Sequence, residues 1–70
     1  MKDRVYHIET IEKCNRFLEG CRKHGWQLWQ MQYSFDHPEG FHAWFYKSRE
    51  PDIEVITHNE DVQKAIISFN

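Results

Sequence analysis

The sequence predicts an α+β domain in which two helices cover one face of a mixed β-sheet, as a two-layer sandwich. Two segments repeat apolar residues at steps of three and four, which is typical of amphipathic helices. Four further segments are rich in aromatic and β-branched residues, and turn formers separate them. The order of elements is therefore β-α-β-β-β-α. The first strand, helix and strand imply a parallel pair with a right-handed crossover, and two hairpins add antiparallel strands.

Start and stop signals bound the two predicted helices. Thr10 is placed to cap the first helix, Glu12 suits its first turn, and Gly25 ends it after three basic residues. Asn59 caps the second helix, whose apolar stripe consists of Val62, Ala65, Ile66 and Phe69. The predicted strands are residues 5–8, 26–35, 41–47 and 53–57. Both helices are expected on one side of the sheet, so the other side stays open.

Length and cysteine content limit the class of protein. Seventy residues predict a single compact domain, 1–70, whose core supplies only about 3–5 kcal/mol. Cys14 and Cys21 lie roughly 10 Å apart along one helix, too far for a disulfide. Two unpaired thiols without a signal peptide predict a cytoplasmic protein, in which both act as small buried apolar residues. No segment has the length of a membrane span, so no membrane partner is expected.

Charge gives no overall attraction to phosphate groups or acidic lipid. The net charge is -2 and the isoelectric point is near 6.2. The first helix gathers cations, and acidic residues gather near the C-terminus. We interpret both groups as solvated surfaces. A nucleic-acid partner is therefore not favoured, although the sequence leaves it open.

Aromatic residues make up 16% of the chain, and their placement decides the functional argument. Pairing Phe35 with Phe41 across the central hairpin predicts a helix-facing core. Its other members are Met31, Tyr33 and Trp29, opposite Phe45, Ala43 and Lys47. The open face then carries Gln30, Gln32 and Ser34 opposite Tyr46, Trp44 and His42. A slip of one residue would bury Trp44 and Tyr46 instead.

The predicted binding face consists of Trp44, Tyr46, His42, Gln30 and Gln32. Such a surface favours a non-enzymatic protein-interaction domain of a regulator, adaptor or inhibitor type. Self-association through this face or an edge strand is expected as well, because a small core gains stability from a partner. Two alternatives stay open. Long polar side chains shield the rings, or the face binds single-stranded nucleic acid with help from Lys47, Arg49 and the cations of the first helix.

The sequence contains residue types that can bind metal or act in catalysis, but not in the arrangement that a metal site or an active site requires. Cys21 and His24 lie one helical turn apart, but a structural zinc site takes four ligands and no second pair has comparable spacing. Ser34, His42 and Asp36 formally supply a nucleophile, a base and an orienting acid. They lie on an open sheet face without a glycine-built elbow. We therefore expect no enzyme, no metal and no cofactor.

Residues 39–46 resemble the aromatic central-strand motif of RNA-recognition-motif domains, through Gly40, Phe41 and Tyr46. The resemblance implies a sheet face that stacks bases. It covers eight residues and departs from the family at Glu39, where the family has Lys or Arg, and at His42, where it has Gly or Ala. The order of elements also lacks the family's closing strand, so no RNA-binding residue is carried over.

Overall fold

A computed structural model describes residues 4–48 and 51–69 of the chain. Their elements follow the predicted order: β1 (Arg4–His7), α1 (Ile11–His24), β2 (Gln27–Ser34), β3 (Gly40–Tyr46), β4 (Pro51–Thr57) and α2 (Glu60–Ile67). The two-layer α+β fold predicted from the sequence is thereby confirmed. The strand β4 begins earlier than expected, at Pro51 rather than at residue 53.

Both helices begin at the capping residues that the sequence indicates. The Thr10 hydroxyl accepts a hydrogen bond from the Lys13 N–H, and the Asn59 side chain accepts one from the Asp61 N–H. Each bond satisfies a backbone donor that has no partner inside its helix. Gly25 ends α1 in the left-handed conformation, with φ 82°, and its N–H donates to the Cys21 carbonyl.

The four strands form one mixed sheet in the order β1-β4-β3-β2. Strand β1 pairs in parallel with β4, whereas β3 pairs antiparallel with both β4 and β2. The first strand-helix-strand unit predicts that β1 pairs with β2, but in the structure β1 pairs with β4. Strands β1 and β2 run in the same direction but occupy opposite edges of the sheet, because β4 and β3 lie between them.

Alternate residues of β3 form the centre of the core beneath the helices. Phe41, Ala43 and Phe45 are buried against apolar residues of β4 and of both helices, namely Cys14, Leu18, Cys21, Ile53, Val55, Val62 and Ile66. The Phe45 ring meets Phe17 of α1 and Phe69 beyond α2 edge to face, with centroids 5.3 and 5.5 Å apart. Burying each of the larger side chains contributes roughly 1.5–3 kcal/mol.

The central hairpin pairs two residues away from the predicted register. Tyr33 lies opposite Phe41 and Gln32 opposite His42, instead of opposite Ala43 and Trp44. The cause lies at the turn, because the Ser34 hydroxyl accepts a hydrogen bond from the Asp36 N–H and ends β2 before Phe35 can pair. A shift of two residues keeps the side chains of residues 30–34 on their predicted sides of the sheet.

Glu9 joins the two loops that precede the helices. Its carboxylate accepts hydrogen bonds from the Thr57 hydroxyl, the His58 N–H and the His58 ring, and its carbonyl accepts one from the Asn59 amide. Partial burial acts to raise the pKa of Glu9, but the bonds from His58 and Thr57 outweigh it and leave the pKa lowered. The hydrogen bond to Glu9 raises the pKa of His58.

We predict that the Glu9 to His58 pair stabilises the fold within a defined pH window. The Glu9 contribution is complete above its ordinary pKa of 4.5, and it is lost as the pH falls through its lowered value. The His58 contribution is complete below its ordinary pKa of 6.5, and it is lost as the pH rises through its raised value. The Tm difference between wild type and Glu9→Gln should therefore be largest between pH 4.5 and 6.5.

The control is Glu60→Gln, which removes an exposed acid from the first turn of α2. Its Tm difference from wild type should not change as the pH rises from about 6.5 to about 8. A Glu9→Gln difference that stays constant from acid to alkaline pH would contradict this role of the pair.

Two glycines should respond to alanine in opposite directions. Gly40 has φ 134°, and a Cβ there would lie 3.0 Å from the Thr57 carbonyl oxygen. Gly40→Ala should therefore lower the free energy of unfolding by about 1–3 kcal/mol. A Cβ on Gly20, inside α1, would meet nothing within 4 Å, so Gly20→Ala should raise it by about 0.5–1 kcal/mol. Urea unfolding measures both, and a Gly40→Ala protein as stable as wild type would refute the first expectation.

Candidate functional site

The sheet face opposite the helices carries His42, Trp44 and Tyr46, which alternate with the buried residues of β3. Trp44 and Tyr46 are half-buried, and no helix in residues 4–48 and 51–69 covers them. We call this surface, completed by Gln30, Gln32 and Trp29, the open face. Its first five members are the predicted binding residues, and the structure brings all five to one side of the sheet.

Trp29 lies on the open face because β2 contains a bulge. Leu28 pairs with Phe45 and Gln30 pairs with Trp44, which leaves Trp29 as the extra residue between them. Its ring meets the Tyr46 ring edge to face, with centroids 5.1 Å apart. The predicted helix-facing position of Trp29 near Lys47 is therefore wrong. The signal was present in the sequence, since adjacent Leu28 and Trp29 break the alternation of the strand.

His42 is held by both of its ring nitrogens. Nδ1 lies 2.7 Å from a Glu54 carboxylate oxygen, and Nε2 lies 2.9 Å from the Pro38 carbonyl oxygen. The turn between β2 and β3 thus covers His42, which is only 7% exposed. Its ring stacks on Trp44, with centroids 5.8 Å apart and planes 28° apart. His42 therefore orients Trp44 instead of offering a contact surface of its own.

Uncharged amides border the open-face rings. Gln30 lies opposite Trp44, Gln32 lies opposite His42, and both are exposed. The Tyr46 hydroxyl donates a hydrogen bond of 3.0 Å to the Gln27 side-chain oxygen. Amphipathic rings beside neutral hydrogen-bonding groups are typical of surfaces that are covered by a partner for part of the time.

A second exposed apolar surface lies on the helix side of β2. Met31 and Tyr33 point toward the helix layer but remain 39% and 47% exposed, and Phe35 beyond the strand is 83% exposed. We call these three residues the β2 strip. The sequence predicts them in the core, and that prediction is wrong because β2 lies at the sheet edge. The helix-side core is built instead from β3, β4 and the two helices.

Ser34, His42 and Asp36, which formally supply the groups of a catalytic triad, do not form one. Ser34 lies opposite Gly40, and its hydroxyl bonds to the backbone of Asp36. Both His42 ring nitrogens have other partners, so His42 cannot take a proton from Ser34 in this arrangement. The two aromatic residues that resemble the RNA-recognition motif lie on opposite sides of the sheet. Phe41 is buried under the helices and Tyr46 lies on the other side, so they do not form one base-stacking surface.

Other ligand chemistry finds little support in the described parts of the chain. Residues 4–48 and 51–69 contain no group of three potential metal ligands. None of their helices is long and apolar enough to cross a membrane. A groove of about 230 Å³ beside α1, lined by Phe17, Gly20, Trp26 and Ile53 among others, is smaller than typical ligand pockets of roughly 300–1,000 Å³.

Comparison with known proteins gives no match to a family model, a curated protein or a solved structure.

Both thiols are buried in α1, so we predict slow chemical modification. Burial raises the pKa of the Cys21 thiol to about 11 against the opposing charge of Arg22, and burial also raises the pKa of Cys14. Alkylation of folded protein near neutral pH should be roughly 100-fold slower or more than in urea, because little thiolate forms. A Glu19→Cys variant supplies an exposed thiol on the same helix as the control. Equal rates for the folded and unfolded native thiols would contradict the burial.

Proposed function

We propose that the protein is a non-enzymatic interaction domain of a regulator, adaptor or inhibitor type, which binds a partner protein through the open face. The observation that supports it most directly is the grouping of Trp29, Trp44 and Tyr46 on a sheet face without a helix over it. Tryptophan and tyrosine are also the residue types that most often dominate binding energy at protein interfaces.

The ring contacts favour binding because they reduce the ordering that a partner would impose. Tyr46 is held by Trp29 on one side and by its hydrogen bond to Gln27 on another. Trp44 stacks on His42, which is itself anchored at two points. Side chains fixed before association lose less conformational entropy when they are buried.

The alternative, in which neighbouring polar side chains shield the rings of the open face, fits the exposure of these rings less well than partner binding does. Trp29 remains 47% exposed, although Gln27 and Gln30 flank it along the strand. Long amide side chains are present, yet they leave the indole accessible to a partner. A cytoplasmic location is part of the proposal, and the two unpaired buried thiols support it.

Single-stranded nucleic acid is the second candidate, and the charges around the rings argue against it. The Glu54 carboxylate lies beside Trp44 on the same side of the sheet, where it is bonded to His42, and an acidic group there is unfavourable for phosphate. Arg22 on α1 donates to the Phe69 carbonyl oxygen and lies over the Phe69 ring, in the helix layer. Lys47 is exposed at the end of β3, and the predicted contributor Arg49 lies outside the described residues.

The test is the double variant Trp44→Ala with Tyr46→Ala. We expect it to fold and to lose partner binding by roughly 100-fold or more, because central aromatic residues carry most of the energy of such interfaces. Affinity capture with quantitative mass spectrometry should identify a protein whose recovery depends on these two rings. Binding should persist at about 0.5 M salt, whereas binding to nucleic acid should weaken steeply.

Ile67→Ala is the matched control, because Ile67 is a large exposed apolar residue on α2. It should retain the captured protein. Unchanged capture by a folded double variant would refute the proposed function, and recovery of salt-sensitive nucleic acid would favour the second candidate.

A further inference from the structure

We propose that a second copy of the chain pairs antiparallel with the outer edge of β2, so that two four-stranded sheets join into one of eight. This inference goes beyond the proposed function, because it uses the strand edge and the β2 strip instead of the open face. The occupant of that edge is the same segment of an identical molecule.

Strand β2 ends the sheet, and within residues 4–48 and 51–69 no strand pairs with its outer side. A row of backbone N–H and C=O groups along its eight residues is thus available to another chain. Natural edge strands usually carry charges, a proline or a bulge that discourages such pairing. The bulge of β2 lies at Trp29, outside residues 30–34, which face each other in the proposed dimer. Residues 26–35 contain neither a charged residue nor a proline.

The opposite edge of the sheet provides an internal comparison. Strand β1 has four residues, and it includes Arg4 and His7. Arg4 also forms an ion pair of 3.5 Å with Asp52 of β4. A short edge with a cation resists pairing in the usual way, so the long neutral edge of β2 stands out within the same sheet.

The exposed apolar area beside β2 supplies a substantial part of what a stable dimer requires. The β2 strip is 39% exposed at Met31, 47% at Tyr33 and 83% at Phe35. With side chains of this size, the exposed parts together amount to roughly 350 Å² in each copy. A standard interface removes about 800 Å² from each partner, and the strand backbone and glutamines of β2 contribute toward the remainder.

The pattern of β2 is complementary to itself under a two-fold axis. If the axis passes beside Gln32, Met31 lies opposite Tyr33 of the second copy, and Gln30 lies opposite its Ser34. Apolar side chains then meet on the helix side, while amides and hydroxyls meet on the other. No like charges face each other along β2, and a net charge of -2 per chain adds little repulsion.

Such a dimer keeps all four helices on one side of the joined sheet. The two β2 strips then fill the space between the helix layers, where they remove apolar surface from water. The two open faces lie side by side on the other side of the sheet. The second copy also supplies stability that a core of this size lacks.

Sedimentation equilibrium of the wild type, from about 1 to about 500 µM, is the primary measurement. We expect the mass to approach twice the 8.6 kDa of one chain. Tyr33→Lys should raise the dimer dissociation constant by roughly 100-fold or more, because each dimer gains two buried unpaired cations. A wild-type protein that remains monomeric throughout this range would overturn the proposal without any variant.

Two further variants locate the interface. Val5→Lys places the same charge on an exposed apolar position of β1, and it should leave the dimer unchanged. Trp44→Ala with Tyr46→Ala should also remain dimeric, even where it loses a captured partner. If that double variant is monomeric while Tyr33→Lys is dimeric, the copies associate through the open face and the β2 edge is excluded.

Discussion

The alternation of β3 between the two sides of the sheet is the constraint on which the rest of the structure depends. Phe45 is fully buried between Phe17 and Phe69, which fixes one side of the strand beneath the helices. Because successive residues of a strand point to opposite faces, Trp44 and Tyr46 must then lie on the other side. The burial of Phe45 and the position of the indole and phenol on the opposite side therefore follow from which side of β3 faces the helices.

Local patterns predict much of this fold, and pairings distant in sequence limit the prediction. Thr10, Gly25 and Asn59 mark helix ends because capping is decided within a few residues. The face of each β3 residue is also predicted correctly, since a register error of two residues preserves it. The parallel partner of β1 could not be derived, because it depends on which strand the helix crossover reaches.

The errors at the candidate site all concern β2. The bulge puts Trp29 on the other side of the sheet from the one predicted. The hydrogen bond from the Asp36 N–H to the Ser34 hydroxyl ends β2 at Ser34, so Phe35 does not pair with Phe41. Met31 and Tyr33 face the helix layer as predicted but remain exposed, because periodicity identifies the side of a strand and not whether a helix covers it. An edge position is a property of the whole sheet, which no local pattern contains.

Nuclear Overhauser contacts from the rings of β3 test the central alternation most directly. The account predicts contacts from the Phe45 ring to Phe17 and Phe69, and contacts from the Trp44 indole to the His42 ring. Trp44 should show none to the buried helix residues Leu18 and Ile66. Contacts between Trp44 and either of those residues would place the indole beneath the helices and contradict the open face.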